Sequence, residues 1–420
     1  MTDTKFIEPR TLSGFRDFLP EALVVRKKVI NIFTEIFEKY GFQPLETPAL
    51  EFADVLLGKY GEEAEKLMYL FEDNGQRNVG LKYDLTVPTA RVVAQYPQIP
   101  KPFKRYQIQP VWRSEKAQKG RYREFTQCDV DTLGTTSPLA DAEILAVIQE
   151  SLTAVGFKKF TIKINSRPVL FKILEDSGAP EEKFLTIIQS IDKLDKKSEE
   201  EVRVELAEKQ TDNKIVEKIF NQIKLAKPDE NLAEVFKYLE KLGISNEYYR
   251  FEPTLARGLD YYTGAIFETI VDEPKIGSVT GGGRYDKLIG SFTGLDVPAV
   301  GTTLGLDRIV DVITELNLWK NMPLSPTKVL VTIFSPDLAD CSLAMIKKLR
   351  EQKVNAQIYL DPNAKLEKQL KYADLKGIPF AIIIGPDETA KGLVTLKNLQ
   401  NKTQTTVSEK DLIKLIDEKN

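Results

Sequence analysis

Residues 102–133 read PFKRYQIQPVWRSEKAQKGRYREFTQCDVDTL, and this stretch decides the fold class. Two strand-like runs, residues 102–113 and 122–133, flank a polar loop, residues 114–121. A connection this short imposes antiparallel pairing. Alternation then places Gln127, Asp129 and Asp131 on one face of the returning strand, with Phe125 two residues before them. Arg113 and Arg121 stand at the two ends of the loop. Guanidinium forks match phosphate oxygens and never lose their charge, so the hairpin reads as a polyphosphate clamp in which Phe125 offers a stacking surface for a base. A solvated charged hairpin is the competing reading.

Working outward, residues 21–40 carry Leu23, Val24, Val29, Ile30, Phe33, Ile36, Phe37 and Tyr40 at near-helical spacing, with Gly41 as a stop. Residues 42–48 contain two prolines, which exclude helix and confine any strand to a sheet edge. Residues 66–71 and 78–83 flank Asp73-Asn74-Gly75 and read as a hairpin. From 168 to 246 lysine, glutamate and leucine dominate and the pattern becomes helical, as in a helical insertion. Strand-like, glycine-rich sequence returns from 249 to 304 and leads into a helix near Gly305, and residues 321–327 read as a linker. Beyond it, strand and helix patterns alternate over 328–384, the signature of a small α/β domain with parallel strands. The whole chain is therefore expected to be α+β. Its expected divisions are 1–167, 168–246 and 247–320, then the linker and a domain at 328–420.

Composition narrows the chemistry. Of 420 residues, 42% are hydrophobic and 29% charged, with a formal net charge of -3, which is the balance of a soluble multidomain protein. No apolar run approaches the ~20 residues that span a bilayer, and MTDTKFIEPR lacks the apolar core of a signal peptide, so a cytoplasmic protein with no membrane partner is expected. Cys128 and Cys341 are too few and too far apart for a disulfide framework or a zinc site. Histidine is absent altogether. That removes Ser-His-Asp and Cys-His catalysis and the HExxH zinc site, leaving carboxylates, Arg, Lys, Tyr, backbone amides or an oxygen-bound hard cation. This inventory suits phosphate better than peptides.

Three further clusters fit that inventory. Arg257-Gly258-Leu259-Asp260-Tyr261-Tyr262-Thr263-Gly264 combines Arg, Asp and two Tyr with glycines that permit close backbone approach, as in a polar pocket or a bulged strand edge. In Gly277-Ser278-Val279-Thr280-Gly281-Gly282-Gly283-Arg284-Tyr285-Asp286, three consecutive glycines invite a phosphate-loop reading without supplying GxxxxGK[ST]; a tight bend in a packed strand is the alternative. Gly301-Thr302-Thr303-Leu304-Gly305-Leu306-Asp307-Arg308 puts an arginine on a helix N-terminal turn, whose free amides attract anions.

Together these segments resemble a known family. Residues 41–48, 113–131 and 300–308 resemble motifs 1, 2 and 3 of class II aminoacyl-tRNA synthetases, and residues 255–262 and 281–286 resemble the two signature peptides peculiar to histidyl-tRNA synthetases. The resemblance implies a six- or seven-stranded antiparallel catalytic sheet flanked by helices, a helical insertion, a C-terminal anticodon-binding domain and a homodimer built partly through motif 1. It implies ATP and L-histidine as substrates, Mg²⁺ as the metal with its ligands unassigned, and tRNA(His) as partner. Arg113 would hold the α-phosphate, Arg121 and Arg308 the outer phosphates, and Phe125 the adenine, with Arg257 as activating arginine. Asp84, Thr86 and Gln127 would grip the amino group. Asp131, Tyr262 and Tyr285 would read the imidazole ring, and Tyr261 would also bind the histidine. Thr126 stands where relatives often carry His or Tyr, and Asp84 and Asp131 where some carry Glu. A non-catalytic, histidine-sensing relative resembling the regulatory subunit of ATP phosphoribosyltransferase is the alternative.

Overall fold

A computed structural model describes residues 7–59, 65–118, 120–257, 261–320, 322–323 and 325–418. Contacts divide the chain into two units, Met1–Asp17 with Lys28–Leu318, and Phe18–Lys27 with Trp319–Asn420. Gly258, Leu259 and Asp260 of the first signature peptide, and two positions of the expected linker, lie outside the described residues.

The helix Pro20–Lys39 forms as its periodicity requires, and its stripe Val29, Phe33, Ile36 and Phe37 is buried. The proline-containing segment after it gives only a two-residue strand, β1 (Gln43–Pro44). Strands β2 (Leu50–Phe52), β3 (Leu70–Glu72) and β4 (Asn78–Leu81) form a small antiparallel sheet in the order β2-β4-β3. The hairpin expected around Asp73 is β3 and β4, but β3 begins at Leu70, so residues 66–69 are not strand. Asp73 organises the turn through its side chain, which accepts from the amides of Gly75 and Arg77.

The main sheet adds β5 (Phe103–Trp112), β6 (Glu124–Leu133), β7 (Phe160–Ser166), β8 (Tyr249–Phe251), β9 (Ala265–Val271), β10 (Ser278–Arg284) and β11 (Ala299–Gly305). Its order is β1-β5-β6-β11-β10-β9-β7-β8. The expected six or seven antiparallel strands are thus eight. The outermost pairs, β1 with β5 and β7 with β8, are parallel. Both outer strands are too short, at two and three residues, for alternation to announce them. β5 and β6 pair without interruption from Phe103 opposite Leu133 to Trp112 opposite Glu124.

Five helices lie between β7 and β8: Arg167–Asp176, Phe184–Ile191, Glu199–Glu208, Asn213–Leu225 and Glu230–Lys241. Their starts are chemically marked. Ser198 and Glu201 form a capping box, and Asp212 and Asp229 cap the two helices that follow. Leu170, Ile187, Ile188, Val202, Leu206, Ile219 and Phe220 belong to one buried cluster that also includes Leu255, Tyr262 and Tyr285. The helices therefore rest on the same core as the second half of the sheet.

In the second unit β12 (Val329–Val331), β13 (Ala356–Ile358), β14 (Phe380–Ile383), β15 (Leu393–Asn398) and β16 (Gln404–Ser408) are ordered β13-β12-β14-β15-β16. The first three are parallel, as alternation with helices predicts, but β15 and β16 pair antiparallel, so the sheet is mixed. Asn398 to Thr403 makes a short connection with no room for a crossover helix. Val329, Val331, Met345, Ile346, Leu349, Phe380, Ile382, Leu412 and Ile416 form this unit's core.

Candidate active site

A cavity of about 860 Å³ lies over the face of β6, β10 and β11 in the first unit. Its walls include Arg113, Arg121, Phe125, Gln127, Asp131, Asp84, Thr86, Arg257, Tyr261, Tyr262, Tyr285 and Arg308. Every candidate residue that the sequence offers from five separated segments thus meets in one place. The collecting device is register: β11 lies against β6 with Gly301 opposite Asp131 and Gly305 opposite Gln127, and β10 lies against β11 on its other side.

One end of the cavity is cationic. Arg113 donates from Nε to the carbonyl of Tyr83 at 3.1 Å and its guanidinium lies over the rings of Tyr83 (4.3 Å) and Phe125 (5.1 Å). Arg308 donates to the carbonyls of Gly120 (3.0 Å) and Ser278 (2.6 Å). Arg121 is exposed, 3.7 Å from Glu115. Burial and the nearby charge of Arg121 pull Arg308 below its ordinary value. An anion bound between them would relieve this repulsion. The helix Leu306–Glu315 contributes Arg308, and no side chain caps its start at Gly305. Asp307 in its first turn pairs with Arg16 and accepts the amide of Thr126 at 3.1 Å.

Arg257 adjoins both groups: its guanidinium lies 5.8 Å from the Tyr262 ring and beside Glu268, whose charge also acts on Arg308. Its Nη1 lies 3.9 Å from Glu268, its backbone carbonyl accepts from Arg167 at 2.7 Å, and its Nε has no partner. The triple glycine proves to be neither phosphate loop nor bend, since it runs through β10 in the interior of the sheet. A Cβ at Gly281 would land on the Arg257 guanidinium, and one at Gly282 on the carbonyl of Gly301 in the next strand. Glycine here lets an arginine lie flat across the sheet.

The other end is a buried carboxylate and tyrosine pocket. Asp131 accepts from the Tyr285 hydroxyl and lies 2.6 Å from Arg105. Tyr261 packs on Tyr262 and Tyr285 with ring centroids 4.8 and 5.9 Å away. Burial drives Tyr261 and Tyr285 well above the ordinary phenol value, so both are neutral donors. Asp84 accepts the amide of Val87 at 3.1 Å at the start of the helix Thr86–Gln95. Gln127 donates to Thr303 at 3.2 Å and its Oε1 is buried without a partner. Burial, reinforced by Asp131 and Asp84 against the pull of Arg105, pushes Asp129 up to about 8.

Sequence reading passed over Arg105, Gln107 and Gln109, all on β5. They stand opposite Asp131, Asp129 and Gln127. The signal was present: two adjacent strands each place a polar residue at every second position, and pairing them matches the two series. Gln189, from the helix Phe184–Ile191, also lines the cavity and no local pattern marks it.

An antiparallel sheet carrying arginines beside a polar pocket, flanked by helices, matches the class II aminoacyl-tRNA synthetase fold. Residues 14–309 match the family model for histidyl-tRNA synthetase, and residues 328–419 that for an anticodon binding domain. The chain belongs to the histidyl-tRNA synthetase family. It is 41% identical to the histidine--tRNA ligase of Gloeobacter violaceus, over 94% of this chain and 96% of that one. It is equally 41% identical to that of Rhodopirellula baltica, over 96% of each. The crystal structure of histidyl-tRNA synthetase from Nostoc sp. PCC 7120 superimposes with a TM-score of 0.87 at 30% identity, covering 99% of this chain and 100% of the other. An ATP phosphoribosyltransferase regulatory subunit/histidyl-tRNA synthetase from Bacillus halodurans shares the fold at 21% identity, with a TM-score of 0.74 over 88% of this chain and 97% of that one.

Proposed function

We propose that the protein joins L-histidine to its cognate tRNA in two steps, first forming histidyl-adenylate from histidine and ATP and then passing the histidyl group to the tRNA. Family membership carries the reaction, and one observation carries the assignment of the site: cationic and carboxylate ends share a cavity with Arg257 between them. The histidine carboxylate attacks the α-phosphorus of ATP in line, a P–O bond forms, and pyrophosphate leaves with the electrons of the broken bond. No protein base is required, because the nucleophile is already an anion; the demand is for positioning and charge neutralisation. Arg113 and Arg257 meet that demand at the reacting phosphoryl group, Arg121 and Arg308 bind the leaving pyrophosphate, and Phe125 stacks on adenine. Asp84, Thr86 and Gln127 hold the substrate ammonium. Asp131, Tyr261, Tyr262 and Tyr285 surround the imidazole. Two-sided hydrogen bonding rejects analogues strongly, because a wrong side chain leaves buried polar groups unmatched.

Mg²⁺ fits this site as a companion of ATP. Among the described residues no cluster of three acidic, His or Cys side chains stands ready for a metal, while Glu115 lines the cavity beside Arg121. Mg²⁺ typically keeps most of its shell as water and phosphate oxygens and takes one or two carboxylates, and it would neutralise phosphate charge. The segment resembling motif 1 leads into β2, whose Leu50 and Phe52 are 44% and 54% exposed, which supports a homodimer through this region. The family match over 328–419 supports tRNA recognition by the C-terminal sheet and helices. We place the protein in the cytoplasm; among the described residues no helix is long and apolar enough to cross a membrane. The purified chain is expected to charge tRNA(His) with histidine and ATP and with no other amino acid. Histidine binding without charging would instead favour the histidine-sensing reading.

A further inference from the structure

Arg105 is fully buried in the strand next to the pocket, yet it does not line the cavity. It stands directly opposite Asp131 in the β5–β6 ladder, with Nη2 2.6 Å from Asp131 Oδ2. Its Nη1 donates to Gln107 Oε1 at 3.2 Å, and Gln107 in turn donates to Thr47 Oγ1 at 2.8 Å. The guanidinium is thereby held from behind, while the other oxygen of Asp131 accepts from Tyr285. Burying a guanidinium for packing alone is poor design, since an apolar side chain of similar volume serves a strand at least as well. What an apolar residue could not do is act on Asp131.

We propose that Arg105 is a positioning residue that keeps Asp131 ionised and aimed into the pocket, and so sets affinity for the imidazole without touching it. The inference rests on the reading of Asp131 as a ring-binding residue. Five groups bear on Asp131: Arg105 from β5, Asp129 from its own strand, Tyr285 after β10, Asp84 from the turn before the helix Thr86–Gln95, and Tyr262. Burial lifts the Asp131 carboxyl above its ordinary value; Arg105 and then the Tyr285 hydroxyl pull it back, and Asp84 adds a smaller upward push. Arg105 is the sole cation among the five. Without it the Asp131 carboxyl would rise further, and a carboxylic acid trades one of its acceptor sites for a donor where a ring N–H needs an acceptor.

The test is histidine-dependent pyrophosphate exchange by the full chain, with KM measured separately for histidine and ATP from pH 6 to 9. The variants are Arg105→Gln, Arg105→Lys, Asp131→Asn and the double variant Arg105→Met with Asp131→Asn. Arg105→Gln is expected to raise KM for histidine roughly 10- to 100-fold, to leave KM for ATP within about twofold, and to move the acidic limb of kcat/KM to higher pH. Arg105→Lys keeps the charge without the fork and should fall between the wild type and Arg105→Gln, with its acidic limb near that of the wild type. The double variant should be no worse toward histidine than Asp131→Asn alone, because Arg105 acts only through that carboxylate. It also removes both buried charges, so it remains informative if Arg105→Gln fails to fold. Histidine KM within twofold of the wild type in every folded Arg105 variant, equal rises in both KM values, or a double variant clearly worse than Asp131→Asn would each overturn the proposal. A wild-type histidine KM in Asp131→Asn would instead overturn the ring-binding reading beneath it.

Discussion

The two ends of the cavity are built on opposite plans. At the carboxylate end Asp131, Arg105 and Tyr285 are at most 3% exposed and already bonded to one another. At the cationic end Arg113 and Arg308 are partly exposed and rest on backbone carbonyls, and the exposed Arg121 adds a like charge beside Arg308. On the proposed function, the difference follows from the ligands. A neutral ring offers two weakly polar nitrogens, so reading it requires donors and acceptors fixed in advance away from water. A polyphosphate carries enough charge to hold guanidinium groups that are not fixed to one another in advance. Substitutions should therefore produce large, ligand-specific effects at the first end and graded effects at the second, with Arg257 between them affecting chemistry alone.

The largest departure is expected at the boundary. Gly281→Ala puts a methyl group where the Arg257 guanidinium lies, and because that group is the free end of a side chain it will move and the strand will not. Exchange activity should fall about 10²-fold while the melting temperature changes little. Gly282→Ala, which strikes the backbone of Gly301, should instead lower the melting temperature sharply. Similar thermal losses in both would remove the distinction between a functional and a structural glycine. The next effect in size contrasts the ends directly. Asp131→Asn should raise KM for histidine by tens of fold and destabilise the fold, since Arg105 loses its buried partner, at a typical cost of about 3–5 kcal/mol. Arg121→Ala, at an exposed position, should raise KM for ATP by only about threefold to tenfold. Steady-state kinetics at fixed salt will rank the two.

A separate contrast concerns pH. Asp129 holds its proton up to about pH 8 when folded, whereas an unfolded aspartate releases it near ~3.9. Between those values the folded state binds the extra proton, so this residue's contribution to stability declines as pH rises from about 4 to 8. Asp129→Asn should flatten that decline, and melting curves across the range will show a difference from the wild type that grows toward alkaline pH. A constant difference would mean that the carboxyl is ionised throughout.

How far the residues foretold this arrangement depends on where each signal was written. The hairpin of β5 and β6 was readable because ten paired positions alternate and the loop is short. The helix Pro20–Lys39 was readable from its stripe. β1 and β8 were not, because strands of two or three residues carry no period. The site's members could be named by resemblance, yet Arg105 escaped it, because its importance lies in cross-strand register, a property of two segments at once. Long-range ion pairs escape reading for a similar reason. Asp307 meets Arg16, a residue 291 positions away in sequence.

The central claim is that one cavity brings histidine and ATP together for adenylate formation with Arg257 acting on the transition state. Exchange of labelled pyrophosphate into ATP, with and without histidine, tests it most directly when wild type and Arg257→Ala are compared alongside histidine binding by equilibrium dialysis. Exchange should require histidine, and Arg257→Ala should lower its rate roughly 10²- to 10³-fold while histidine affinity stays within a few fold. Exchange that ignores histidine, or an Arg257→Ala variant that exchanges at the wild-type rate, would contradict the account.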